Sequence, residues 1–278
     1  MFRVRWNKKR RGCRGLVAPS RAAFFDIDGT LMRGLLIVDL PTYLARRGLF
    51  NERLSQKILE LAESYRRGQV SYRHISTRIP YLYAQGIRGQ SRSEVCGHAD
   101  RFIHRPPRRL FSYSRRLVGL MAERGFLTVA VSGSPIEVVS PLRELGFREV
   151  FGTEMETRGG RYTGRVVRNL ILAEEKKKLV ASLIARHHVD ISRSWAFGDT
   201  EQDLPMWRTV GNPVVLNPSP RLRAYAIRNG WLVPRQVLKE VRVRLPLSKP
   251  SWDPSSPRKG NSSLLLRPTA WHRGPGSR

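Results

Sequence analysis

Acidic residues are scarce in this chain, and so are cysteines and long apolar runs. Its 278 residues hold 22 Asp or Glu against 51 Lys or Arg, and two cysteines, Cys13 and Cys96. Two distant cysteines without a CxxC pair exclude a disulfide framework and a cysteine-based zinc site, and fit a reducing compartment. No apolar run approaches the ~18 residues that a membrane-spanning helix needs. The N-terminus also lacks the apolar core of a secretory signal. The expectation is a soluble, cytoplasmic protein, and a hydrophobic content of 40% is enough to build real cores.

The excess positive charge is concentrated at the ends. Residues 1–21 carry eight Lys or Arg and no acid, and residues 235–278 carry ten basic residues against two acidic ones. The opening "MFRVRWNKKRRGCRG" reads as a disordered basic arm, 1–20. The Pro- and Ser-rich "LPLSKPSWDPSSPRKGNSS" marks 235–278 as a disordered basic tail. Such ends serve as solubilising tails, as contacts for nucleic acid or an anionic membrane, or, at the N-terminus, as a transit peptide. The composition leaves these open.

Between the ends, apolar runs bounded by loops recur at 22–27, 127–131, 195–197 and 213–216, separated by amphipathic stretches of helical length. That alternation predicts a parallel α/β sheet. The stretch 35–111 breaks it, because "NERLSQKILELAESYRRGQ" and "YRHISTRIPYLYAQG" carry apolar residues at helical spacing and no buried strand is evident. The expectation is an α/β core from 21–34 and 112–234, with 35–111 inserted as a helical cap. "GGRYTGRV" reads as a hairpin turn.

In so basic a chain, "AAFFDIDGTL" is unusual: an apolar strand ends in Asp26 and Asp28. Two Asp residues that cap turn amides would account for a lone DxDG. Three later segments make them more than that. "VAVSGSP" runs from a strand into Ser132 and Gly133 where a helix is expected to start, a place suited to an anionic oxygen. "AFGDTEQDLPM" brings Asp199 and Asp203 to another strand end, and four carboxylates together call for a hard cation such as Mg²⁺. In "AEEKKKLVASLIA", Lys176 falls on the face marked by Leu179, Val180, Leu183 and Ile184, where an ammonium needs an anionic partner. His98 and His104 beside Cys96 lack a fourth ligand, and His187 and His188 read as late-helix residues.

These four elements, in this order and with a helical insertion between the first two, resemble the haloacid dehalogenase superfamily of phosphohydrolases. "TGR", "DLPM" and "GNPVVLNPSPRLRAYAIRNGW" are similar to its phosphoserine-phosphatase-like branch, and the likeness covers roughly Ala22 to Val233. It implies a Rossmann-like core, an Asp26 nucleophile that forms an aspartyl-phosphate, and Asp28 as proton carrier. It further implies Mg²⁺ on Asp26, the carbonyl of Asp28 and Asp199, supported by Asp203, with Ser132, Gly133 and Lys176 on the phosphoryl oxygens. The implied substrate is a small phosphorylated metabolite, with Gln202 and Arg78 as candidate contacts. Leu35 stands where the branch carries an amine-binding glutamate, so the implied ester is phosphoserine or a related phosphorylated metabolite such as histidinol phosphate. Phosphotransfer would use the same residues, and a basic nucleic-acid- or membrane-binding protein that retains the fold is the alternative from another class.

Overall fold

The computed structural model describes residues 20–105 and 109–245. Its sheet consists of β1 (Ala22–Phe25), β2 (Leu127–Pro135), β3 (Glu149–Arg158), β4 (Arg161–Arg168), β5 (Trp195–Gly198) and β6 (Asn212–Val215). The helices are α1 (Leu36–Ala45), α2 (Glu52–Arg66), α3 (Tyr72–Gly86), α4 (Arg92–His104), α5 (Ser114–Glu123), α6 (Ile136–Val139), α7 (Ala173–His187), α8 (Leu204–Trp207), α9 (Pro220–Arg228) and α10 (Val237–Arg244). No described helix is long and apolar enough to cross a membrane.

The strand order is β4-β3-β2-β1-β5-β6, with every neighbouring pair parallel except the antiparallel β3–β4 hairpin. This is a Rossmann-like α/β sheet. Chain order runs outward from β1 in both directions, so the crevice beside the carboxyl ends of β1 and β5 is where loops diverge and ligands are admitted. All four β1 residues are fully buried. Ala23 and Phe25 join the core shared with α1 to α5, while Ala22 and Phe24 face Val180, Leu183 and Trp207 on the other side. A strand covered on both faces reads as an unbroken apolar run, which is why it was legible in the sequence. Trp195 and Trp207 are core residues, and the Trp207 indole donates to the Val214 carbonyl at 3.0 Å.

The chain leaves the sheet after β1 and builds α1 to α4 before returning. The two crossings run side by side: Met32 and Leu110 form an isolated antiparallel bridge, and the Arg33 amide donates to the Arg109 carbonyl at 2.8 Å. Asn51 caps α2 by accepting from the Leu54 amide, and Ser71 caps α3 by accepting from His74. Buried Ser55, Ile58 and Ala62 share one face of α2.

Three expectations are corrected. The hairpin turn is confined to Gly159 and Gly160, and most of "GGRYTGRV" is strand β4. The helix expected at Ser132 begins at Ile136 instead, because β2 stays extended through Pro135, which pairs with Thr153 after a register shift. The basic tail does not start at 235, because α10 docks Val241 and Leu245 into the core beside α5. The rest of that tail, and the basic arm through residue 19, lie outside the described residues, as does any nucleic-acid or membrane contact they make.

Strand β3 braces the end of β2. Thr153 Oγ1 donates to the Gly133 carbonyl at 2.6 Å, and a Cβ on Gly152 would come within 2.8 Å of backbone atoms of Ser134 and Ile136. Substituting Gly152→Ala must therefore displace backbone and is expected to cost roughly 1–3 kcal/mol. Gly119→Ala, on helix α5 with nothing within 4 Å of the added Cβ, is expected to gain up to ~1 kcal/mol. Urea denaturation of both variants checks the contrast, and equal midpoints would contradict it.

Candidate active site

The Asp26 amide donates to the Phe197 carbonyl at 2.9 Å, so the first residue after β1 is still held by β5. Asp26 is 5% exposed, and each carboxylate oxygen has a partner. Oδ1 accepts from Lys176 Nζ at 2.8 Å and Oδ2 from Thr30 Oγ1 at 3.1 Å. Lys176 also donates to Asp203 Oδ1 at 2.9 Å and is itself 4% exposed. The lysine read from helical phase as inward-facing therefore lies between two of the four aspartates.

Asp203 is fully buried and works with both oxygens. While Oδ1 meets the lysine, Oδ2 accepts from the amides of Asp199 and Thr200 at 3.1 and 3.3 Å. Thr200 and Asp203 form a reciprocal capping box that closes the loop after β5. That loop presents Asp199, whose Oδ1 accepts from Thr30 Oγ1 at 2.9 Å. The glycine of the DxDG motif is needed for this approach: Gly29 has φ +81°, and a Cβ there would lie 2.0 Å from Asp199 Oδ2.

One threonine proton thus faces two carboxylates, and one ammonium faces two. Carboxylate oxygens of Asp26, Asp199 and Asp203 lie within 4.8 Å of one another. Burial pushes the Asp26 carboxyl up to about 7; Lys176 opposes the shift, while Asp203 and Asp28 add to it. Asp199 is raised to about 9 by burial, then by Asp26 and Asp203. Burial alone would lower Lys176, but Asp203 and Asp26 outweigh it and hold the ammonium protonated. The cluster is electrostatically incomplete, and its all-oxygen donors suit a hard divalent cation.

Asp28 faces the same cavity with a different set of partners. Its Oδ1 accepts from the Leu36 amide at 2.7 Å and its Oδ2 from Ser132 Oγ at 3.0 Å. Burial raises its pKa, and these hydrogen bonds partly offset the rise. Ser132 is fully buried and also accepts from the Ser134 amide at 3.0 Å. Its hydroxyl therefore orients Asp28, while the cavity wall itself is formed by Gly133 and Ser134. No helix start is involved, contrary to the sequence expectation.

The cavity measures about 260 Å³ and is lined by Asp26, Asp28, Asp199 and Lys176 at its floor. Gln202 and Leu35 both line it. Arg78 does not: Ile75 and Ile79 take the inward face of α3, and Arg78 is exposed, stacked 5.3 Å from the Tyr81 ring. The cation that α1 to α4 do bring to the lining is Arg66, at the end of α2.

Sequence reasoning missed the residues that hold the DxDG loop. Asn217, at φ +47°, donates to the Gly29 carbonyl at 2.8 Å, and Tyr113 donates to the Thr30 carbonyl at 2.7 Å. A polar residue just past the apolar run of β6 is the same signal that marked Asp26, and it was available for Asn217. Nothing local marks Tyr113. His98 and His104 lie on α4, and His187 ends α7 against Glu149, all away from the cavity lining.

Known proteins share this arrangement of elements. A phosphoserine phosphatase of Mycobacterium tuberculosis, SerB1, is 28% identical over 232 residues, covering 81% of this chain and 74% of its own. A histidinol-phosphatase of Neisseria meningitidis is 26% identical over 216 residues, covering 76% and 96%. The solved structure of a protein of unknown function from Bordetella pertussis superposes with a TM-score of 0.64 at 26% identity, covering 77% of this chain and 98% of that one. The family model of haloacid dehalogenase-like hydrolases matches residues 23–208, a span holding all four aspartates and Lys176. The chain belongs to the haloacid dehalogenase-like hydrolase family.

Proposed function

We propose that this hydrolase is an Mg²⁺-dependent phosphomonoesterase in which Asp26 is the nucleophile and Asp28 the proton carrier. The observation that carries the reading is the division of labour between two carboxyls two residues apart. Asp26 is oriented by Lys176 and Thr30, and Asp28, held by Leu36 and Ser132, faces the same cavity with its proton affinity raised by burial. The names of two relatives, a phosphoserine phosphatase and a histidinol-phosphatase, support a small phosphomonoester as the substrate.

A phosphate monoester resists attack because anionic oxygens surround phosphorus, so positioning and charge neutralisation carry the catalysis. An Asp26 oxygen bonds to phosphorus as the bond to the alcohol oxygen breaks, and Asp28 gives that oxygen its proton. Water then attacks phosphorus of the aspartyl-phosphate, returning a proton to Asp28 and releasing inorganic phosphate with Asp26 restored. Lys176 supplies fixed positive charge beside the nucleophile, and Gly133 and Ser134 border the space for the transferring group. Asp26, Asp199 and the Asp28 carbonyl would hold Mg²⁺, with Asp203 behind them. When bound, the ion neutralises phosphoryl charge.

Asp26→Asn is expected to lower kcat for phenyl phosphate on the order of 10³-fold or more. Asp28→Asn is expected to lower it ~10²- to 10⁴-fold and to leave phosphorylated protein detectable by mass spectrometry. Unchanged release of inorganic phosphate by either variant rejects its assigned role.

The metal has a readout of its own. Because the folded protein raises Asp26 from 3.8 to about 7 and Asp199 to about 9, the metal-free fold binds more protons than the unfolded chain in that window. Stability in chelator should therefore fall as pH rises from about 4 toward 9, while Lys176 stays protonated. Mg²⁺ at a hundredfold excess over Kd should add ~2.7 kcal/mol. The rise in Tm should be larger at pH 8 than at pH 6 and absent in Asp199→Asn; a Tm indifferent to Mg²⁺ at every pH excludes the site.

A further inference from the structure

The cavity joins two chemically unlike surfaces. Its floor is the aspartate cluster, and its opposite wall is supplied by the helices inserted between β1 and β2. Leu35 leads into α1 and is 46% exposed, and Tyr65, Ile75 and Ile79 continue the wall. Tyr72 belongs to this wall as well, but its hydroxyl is spent on the Ile171 carbonyl at 2.8 Å, so the ring presents carbon to the space. Among the described residues of α1 to α4, the only charged side chain on the lining is Arg66, and no acid from these helices reaches it. Glu201 stands on the sheet side of the rim and is exposed.

An alcohol that carries an ammonium group would be poorly served here. Its charge would lose water against Ile75 and Ile79, find no carboxylate on that wall, and meet Arg66 with the same sign. An apolar alcohol loses nothing and removes carbon surface from water on both sides, worth about fourfold in affinity for each methylene buried. We propose that this cavity selects phosphomonoesters of apolar, cation-free alcohols, with Leu35, Ile75 and Ile79 as the residues that set the preference. The inference rests on the phosphomonoesterase reading and adds the class of substrate to it.

A homologous series reads the preference directly. The full-length protein in Mg²⁺ is assayed for release of phosphate from ethyl, butyl and hexyl phosphate, phosphoserine and phosphoethanolamine. The expected result is a rise in kcat/KM of about two- to fourfold per methylene along the series. The gain should lie mainly in KM, since the apolar contact is equal in ground and transition states. Hexyl phosphate should exceed phosphoserine by roughly tenfold or more. Leu35→Glu, at a half-exposed position, should lower the hexyl-to-phosphoethanolamine ratio by roughly tenfold. A series that is flat or falls with chain length, or a preference for phosphoserine, overturns the inference and leaves the phosphomonoesterase reading intact. Hydrolysis of none of the five overturns that reading and this inference with it. Should Leu35→Glu fail to fold, the wild-type ranking decides alone.

Discussion

Lys176 sets a single protonated ammonium between Asp26 at the end of β1 and Asp203 behind the end of β5, and the geometry of the site follows from that bridge. The lysine is carried inward by the same helical phase that buries Val180 and Leu183, so the packing of α7 on the sheet also fixes the charge. Breaking a buried pair by removing one partner typically costs about 3–5 kcal/mol. Here the penalty would spread further, because the Asp203 that meets the lysine also gathers the amides of Asp199 and Thr200. The end of one strand, the loop after its neighbour and the first turn of a helix are thereby tied to one point.

The part of the fold that could be read from the sequence is the part governed by local pattern. Strands β1, β2, β5 and β6 are short apolar runs because both faces of the sheet are covered. Lys176 was recognisable because 100° per residue can be counted without knowing what lies opposite. Strand β3 is hidden because Glu154, Glu156 and Arg158 interrupt its apolar positions where it pairs with the edge strand β4. The apolar run that reaches Ser132 and Gly133 points to a helix start there, but the pairing of Pro135 with Thr153 and the Thr153 hydrogen bond to the Gly133 carbonyl keep the chain extended. Arg78 and Arg66 lie on helices of similar composition, and which of them meets the cavity depends on how α2 and α3 face the sheet. Tyr113 and Asn217 act on the DxDG loop from 83 and 188 residues away, and no spacing rule spans such distances.

Specific hydrogen bonds join the two walls of the cavity. The Ile37 amide donates to Ser134 Oγ at 3.0 Å, Asn169 Nδ2 to the Ser76 carbonyl at 2.8 Å, and Gln85 Nε2 to the Gly164 carbonyl at 2.8 Å. Each connects an inserted helix, or the turn that starts one, to the sheet side through a backbone group. These bonds fix where the apolar wall stands above the carboxylates, and they leave the identity of the wall residues free to change. The carboxylates and the apolar wall thus come from separate stretches of chain.

The burial of β1 on both faces also orders the protein's opening equilibria. Free energy of local opening rises with burial and with the depth of a hydrogen bond in the sheet. The Asp26 amide, bonded to β5 in the middle of the sheet, exchanges its hydrogen only when the whole fold is lost. Helix α2, which buries only Ser55, Ile58 and Ala62 and packs on α1 and α3 rather than on the sheet, exchanges through smaller excursions. The aspartate cluster therefore stays assembled while its cover fluctuates.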